Sequence, residues 1–151
     1  MKILYGIQGT GNGHLSRCHT MAKSLAKYNV DIDYLISGRD VAGLFDMDVF
    51  GDYQWQQGLS FVTEKGRLRR RKTLLNNDWS QFWQDVKKLP VKNYDLVITD
   101  YEPVTAWAAK KAGVRCIGLG RQYAFQEPEL FRRLSWWQKK LISSFAPCSE
   151  P

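Results

Sequence analysis

The chain opens on a short apolar run, Lys2-Ile3-Leu4-Tyr5-Gly6-Ile7, which breaks at once into Gln8-Gly9-Thr10-Gly11-Asn12-Gly13-His14. β-branched and aromatic residues in so short a run predict a buried strand, and the alternating glycines predict a tight turn. Across residues 15–28 the positions Leu15, Cys18, Ala22 and Leu25 recur at helical spacing, so the turn lies between a strand and a helix N-terminus. Residues 30–37 alternate and then turn apolar, predicting a second strand. Ser37-Gly38-Arg39-Asp40 then reads as a turn whose Asp40 caps a short helix through Leu44 or Phe45.

Farther along, residues 53–62 carry aromatic and β-branched positions around Gly58, predicting one or two short strands before a turn at Thr63-Glu64-Lys65-Gly66. Residues 73–88 place Leu74, Leu75, Phe82, Trp83 and Val86 at mixed helical spacing and stop before Pro90. The clearest buried strand is Asp95-Leu96-Val97-Ile98-Thr99, followed by Asp100-Tyr101-Glu102-Pro103. Pro103 suits a first helical turn, Val104, Trp107, Ala108 and Ala112 continue it, and Gly113 stops it. A strand at residues 115–119, a loop at Gly120-Arg121-Gln122-Tyr123 and one amphipathic helix over residues 128–145 complete the pattern.

Strands alternating with helices predict an α/β fold: a Rossmann-like, doubly wound, mostly parallel sheet with helices on both faces. Such sheets bind ligands beyond the C-terminal ends of their strands. His14, Arg39, Asp100 and Gln122 each follow a strand, which predicts one shared rim. The domain is expected to span residues 1–146, with the proline-bearing residues 147–151 beginning a linker to a further domain.

Composition narrows the classes. A chain of 151 residues fits one domain, and 44% hydrophobic with 25% charged residues is ordinary for a globular protein. No apolar run approaches the ~18–20 residues of a membrane span, and the first strand is too short and glycine-broken for a secretory signal. Three cysteines, Cys18, Cys116 and Cys148, lack metal-type spacing and suggest free thiols in a reducing cytoplasm. The excess of 22 Lys+Arg over 15 Asp+Glu gives a net charge of +7. It concentrates at Lys65, Arg67, Arg69, Arg70, Arg71 and Lys72, and again at Lys139 and Lys140. That run reads either as a solvated loop or as a contact for an anionic surface; no nucleic-acid module accompanies it, so no nucleic acid is expected.

The chemistry centres on the glycine turn. Backbone N–H groups of Gly9, Thr10, Gly11, Asn12 and Gly13 converge with the positive end of a helix, which favours an anion such as a diphosphate. Gly9-x-Gly11 begins the dinucleotide fingerprint, but its third glycine is replaced by His14. Arg39, after the second strand, suits a 2′-phosphate, so an NADP-type dinucleotide module is one reading and an anionic-surface binding domain another. A neutral His14 imidazole at that point can accept a proton, and Asp100 is placed to orient it. Glu102 reads as a first-turn acid complementing the helix dipole, or as a ligand for acceptor hydroxyls.

Gly9-Thr10-Gly11-Asn12-Gly13-His14-Leu15-Ser16-Arg17, Ser37-Gly38-Arg39, Thr99-Asp100-Tyr101-Glu102-Pro103 and the Gln122 loop together resemble the N-terminal half of GT-B glycosyltransferases. The resemblance is nearest to uncharacterised predicted glycosyltransferases. It extends more distantly to the peptidoglycan N-acetylglucosaminyltransferase that makes lipid II. It implies an acceptor-binding, base-supplying half of a GT-B architecture, with a second Rossmann-like domain for a nucleotide-sugar donor. It also implies metal-independent, inverting transfer to a hydroxyl acceptor, with nucleotide sugar as substrate and no cofactor. His14 would be the base, Asp100 its orienting acid, Gly9, Gly11 and Gly13 the diphosphate-facing glycines, and Arg39, Glu102 and Gln122 would line the acceptor cleft. Without a donor half the chain would bind nucleotide sugar poorly. The basic run with Trp136, Trp137 and Phe145 would face a lipid-linked or anionic acceptor or the inner face of a membrane, or else the tryptophans cover the sheet or the further domain.

Overall fold

The computed structural model describes residues 1–61, 63, 64, 67, 68, 73 and 75–151. Its main sheet contains β1 (Lys2–Gln8), β2 (Asp31–Ser37), β3 (Gln54–Gln56), β6 (Leu96–Asp100) and β7 (Cys116–Gly118) in the order β3-β2-β1-β6-β7. Every pairing in it is parallel. A separate antiparallel pair joins β4 (Thr63–Glu64) to β5 (Arg67–Leu68) across the expected turn, whose residues 65 and 66 lie outside the described residues. The helices are α1 (Asn12–Leu25), α2 (Trp79–Lys88), α3 (Pro103–Ala112), α4 (Pro128–Arg133) and α5 (Trp136–Phe145).

Both sheet faces are covered, as parallel sheets require. Leu15, Cys18 and Ala22 of α1 bury one face against Tyr5, Ile7, Tyr34 and Ile36. On the other face Leu4, Leu35 and Val97 meet Phe82 and Val86 of α2 and Val104, Ala108 and Ala109 of α3. The period-2 split of Leu4 from Tyr5 and Ile7 is the strand pleat assigning alternate side chains to opposite layers.

The α3 helix sits unusually close to β1. A Cβ at Gly6 would lie 2.1 Å from Thr105 Oγ1 and 2.9 Å from Glu102 Oε2, so only glycine admits the helix there. Glu102 caps α3, accepting from Val104 N at 2.8 Å, Thr105 N at 2.7 Å, Thr105 Oγ1 at 2.7 Å and Ser37 Oγ at 2.6 Å. Burial raises its carboxyl above the ordinary range, against the pull of those four donors.

Two expectations change in detail. The helix expected over residues 73–88 is interrupted: Thr73, Leu75 and Asn76 are helical, the chain bends at Asn77, and a second helix starts at Trp79, where the Asp78 carboxylate accepts from Gln81 N and caps it. Among the described residues of 53–62 the strand is β3, one of the one or two short strands expected there. The single helix expected over residues 128–145 is two: Leu134 is extended, and Gln138 Oε1 accepts from Ser135 N at 3.0 Å, closing a capping box that restarts the helix. The segment read as a linker start lies along β7, with Gly118 N donating to Glu150 O at 2.7 Å and Ser149 N to Cys116 O at 2.9 Å. No helix among the described residues is long and apolar enough to cross a membrane.

The glycine contacts give a paired prediction. Gly6→Ala should cost about 3 kcal/mol or more through overpacking. Gly13→Ala, with nothing within 4 Å of the added Cβ, should stabilise α1 by up to about 1 kcal/mol. Urea unfolding of the two variants beside the parent chain separates these signs.

Candidate active site

The strand order reverses direction at β1, which pairs with β2 on one side and β6 on the other. That reversal opens a crevice beyond the C-terminal strand ends. The β6 register sets Asp100 beside Ile7, at the lip of the crevice. From the opposite side α1 enters with His14, Arg17 and Cys18 at i, i+3 and i+4, hence on one helical face. Tyr101, at φ 55°, takes a left-handed conformation that a bulky residue adopts only under constraint. Phe145 stacks on its ring at 5.1 Å between centroids and Tyr123 meets it edge-on at 5.4 Å. These contacts hold the reversal that leaves Asp100 at the crevice and sends Glu102 back into the core.

The Asp100 side chain has no exposure to solvent and is held by three donors from α1. His14 Nδ1 lies 2.8 Å from Oδ1, Arg17 Nε donates to Oδ2 at 3.0 Å and the Cys18 thiol donates to Oδ2 at 3.0 Å. Arg17 Nη2 also donates to Oδ1, closing a two-pronged ion pair. Burial alone would raise the Asp100 carboxyl, but the bonds from His14, Arg17 and Cys18 prevail and hold it below the usual carboxylate range. Burial opposes the charge of Arg17, and Asp100 more than restores it. The Cys18 thiol is pushed up by burial and by Asp100, so it stays a donor.

An ionised Asp100 fixes the tautomer of His14. Nδ1 must carry the proton that the carboxylate accepts, which leaves the lone pair on Nε2. Gln122 donates its amide N–H to that lone pair at 2.9 Å, while its Oε1 is buried without a partner. Gly120, at φ 130°, permits the approach, since a Cβ there would lie 3.2 Å from Asp100 Oδ1 and 3.1 Å from Gln122 Oε1. The site is thus a relay, Asp100–His14–Gln122, with a basic nitrogen on the crevice side and a half-buried imidazole.

The remaining predicted residues distribute around it. Gly9 is buried and donates its N–H to Ser37 O at 2.7 Å, and Thr10 Oγ1 accepts from Gln8 at 3.2 Å. Gly11 is the N-cap of α1 and no side chain caps that terminus; Asn12 and Gly13 begin the helix and are exposed. Arg39 lies beside this loop, its guanidinium donating to Asn12 Oδ1 at 2.8 Å and Gly43 O at 3.2 Å. Glu102 departs from the cleft: it is fully buried and its oxygens are committed to the α3 cap and Ser37. Among the described residues no three His, Cys, Asp or Glu side chains converge as a metal would require.

Arg17 and Cys18 are partners of Asp100 to which the sequence reading assigns no part in the site. Their signal is the i+3, i+4 spacing from His14, which becomes meaningful once an acid is known to face that side of α1. Of the basic and aromatic group, Lys65, Arg69, Arg70, Arg71 and Lys72 lie outside the described residues. Phe145 is not a surface group but a buried one, packed between Phe61 and Tyr101. Trp136 is 76% exposed and, with Trp79, Trp83, Trp107, Trp137 and Lys140, lines an apolar groove of about 420 Å³.

The family model for glycosyl transferase family 1 matches residues 1–138, and the chain belongs to that family. An uncharacterized glycosyltransferase of Methanosarcina mazei is 26% identical over 150 residues, covering 97% of this chain and 38% of that protein. The chain therefore spans well under half the length of this relative. MurG of Acinetobacter baumannii superposes with a TM-score of 0.50 at 14% identity, over 87% of this chain and 39% of its own. SsfS6, a glycosyltransferase of Streptomyces sp. SF2575, gives a TM-score of 0.53 at 12% identity, over 100% of this chain and 48% of its own. At such identities the likeness is one of fold, the Rossmann-like half of a GT-B glycosyltransferase.

Because the folded Asp100 carboxyl titrates below its ordinary value, its stabilising effect is present at neutral pH and fades as pH falls through that lower value. Asp100→Asn should therefore cost about 2 kcal/mol at pH 7, less than for a fully buried pair because Arg17 is partly exposed. The gap between variant and parent melting temperatures should close below about pH 4. A gap that stays constant from pH 7 to pH 3 would contradict the ion pair.

Proposed function

We propose that these residues form the acceptor-side half of a sugar transferase in which His14 is the general base. His14 Nε2 takes the proton of an acceptor hydroxyl as that oxygen attacks the anomeric carbon of a nucleotide sugar. The bond to the diphosphate breaks with its electron pair, and a single displacement of this kind inverts the anomeric centre. Asp100 stabilises the imidazolium formed. The observation that carries the reading is the Nδ1 bond to a buried, ionised Asp100, which leaves the lone pair on Nε2, beside the Gln122 amide, where the strand order reverses. Membership of glycosyl transferase family 1 supports it.

The nucleotide sugar is a substrate held from a second domain, with its diphosphate facing Thr10, Gly11, Asn12 and Gly13; Gly9, also expected there, is buried and its N–H is given to Ser37 O. The uncapped N-terminus of α1 and the absence of acidic residues in its first turn support that placement. Arg39 and Gln122 then border the acceptor. The NADP-type reading is weaker, since the Arg39 guanidinium is already shared between Asn12 and Gly43.

A lipid-linked acceptor is the finer proposal, supported by the tryptophan groove and by Phe145, which joins the groove to Tyr101 beside Asp100. Such a chain would bind vesicles of anionic phospholipid, and Trp136→Ser should weaken sedimentation with them several-fold. Equal sedimentation of both forms removes the support of the groove.

In an enzyme carrying both halves, His14→Ala should lower sugar transfer by about two orders of magnitude or more with little loss of melting temperature. Transfer at the parent rate would end the assignment of the base.

A further inference from the structure

We propose that Arg17 is the positioning residue of this site, a fork that fixes the Asp100 carboxylate and balances its charge so that His14 rests as an uncharged base. The inference depends on the reading of His14 as base, because it explains how that base stays able to accept a proton. A buried carboxylate 2.8 Å from an imidazole nitrogen strongly favours the imidazolium when nothing else offsets its charge. An imidazolium has no lone pair for an acceptor hydroxyl.

The charges around His14 show what offsets it. From β6 comes Asp100; from α1 come Arg17 and Cys18; from β1 comes the Tyr5 hydroxyl, reached through Cys18 at 3.5 Å; from the loop after β7 comes the Gln122 amide. Cys18 and Tyr5 are held neutral by burial, and Gln122 carries no charge. Arg17 is therefore the one permanent cation against Asp100 among the described residues. Its Nη2 shares Oδ1 with His14 Nδ1 and lies 3.3 Å from that nitrogen. A second positive charge on the ring would meet the first at contact distance. The fork also sets the carboxylate plane, which a lysine ammonium does not do.

The test is the imidazole titration of the 15N-labelled chain, read from long-range nitrogen–proton correlations; the chain has 2 histidines, and a His14→Ala sample identifies the His14 signals. In Arg17→Met the His14 midpoint should rise by about one pH unit, a tenfold change in proton affinity. Arg17→Lys, keeping charge without the fork, should stay within about half a unit of the parent yet lose the preference for the Nδ1–H tautomer. Arg17→Met with Asp100→Asn should return the midpoint toward the parent, because the uncompensated charge is gone. Should Arg17→Met fail to fold, Arg17→Gln replaces it in the same series. An unmoved midpoint in folded Arg17→Met or Arg17→Gln overturns the inference, since a purely structural role would lower only the melting temperature. Failure of the base assignment shows separately, as sugar transfer that survives His14→Ala.

Discussion

A carboxylate sealed from water at the meeting of β1 and β6 must find donors, and the nearby architecture follows from how it finds them. One helix supplies all three, which is why α1 approaches with His14, Arg17 and Cys18 on the side facing β6. Its other buried positions, Leu15 and Ala22, then pack on Tyr5 and Ile7. The glycine-rich turn is short because α1 must begin near the sheet end for His14 to reach Asp100. Gly120 completes the enclosure where any side chain would press on the carboxylate.

Two acids two residues apart have opposite fates. Glu102 spends its oxygens on the first turn of α3 and on Ser37, tying that helix to β2. Asp100 faces the crevice and keeps a partner able to change its protonation. What separates them is the left-handed Tyr101 between, held by Phe145 and Tyr123. The aromatic contacts of α5 thus reach the chemistry through backbone geometry and not through contact with the reacting groups.

The parallel sheet was legible in the sequence because β1, β2 and β6 are apolar runs bounded by glycines, capping acids and a proline; its strand order was not. His14 and Asp100 were legible for the same reason, each standing directly after such a run. The partnership of Arg17 was not, because an arginine on a half-exposed helix reads as solvated until its neighbour across 83 positions is known. Of the two readings of Glu102 the helix-start acid holds, as the cap of α3, and the cleft ligand does not, because close packing at Gly6 and Thr105 draws the carboxyl inward. The break at Leu134 was in plain view as Ser135-Trp136-Trp137-Gln138, but the longer apolar stripe concealed it.

Gln122 gives the resting site one further property. With an amide seated against the lone pair, the nitrogen is not left facing bulk solvent between turnovers. An amide N–H has no tendency to become a nucleophile, whereas a water molecule lodged in the same place would be primed to attack. For the transfer proposed above, that difference favours an activated glycosyl group waiting for its acceptor over its loss to hydrolysis.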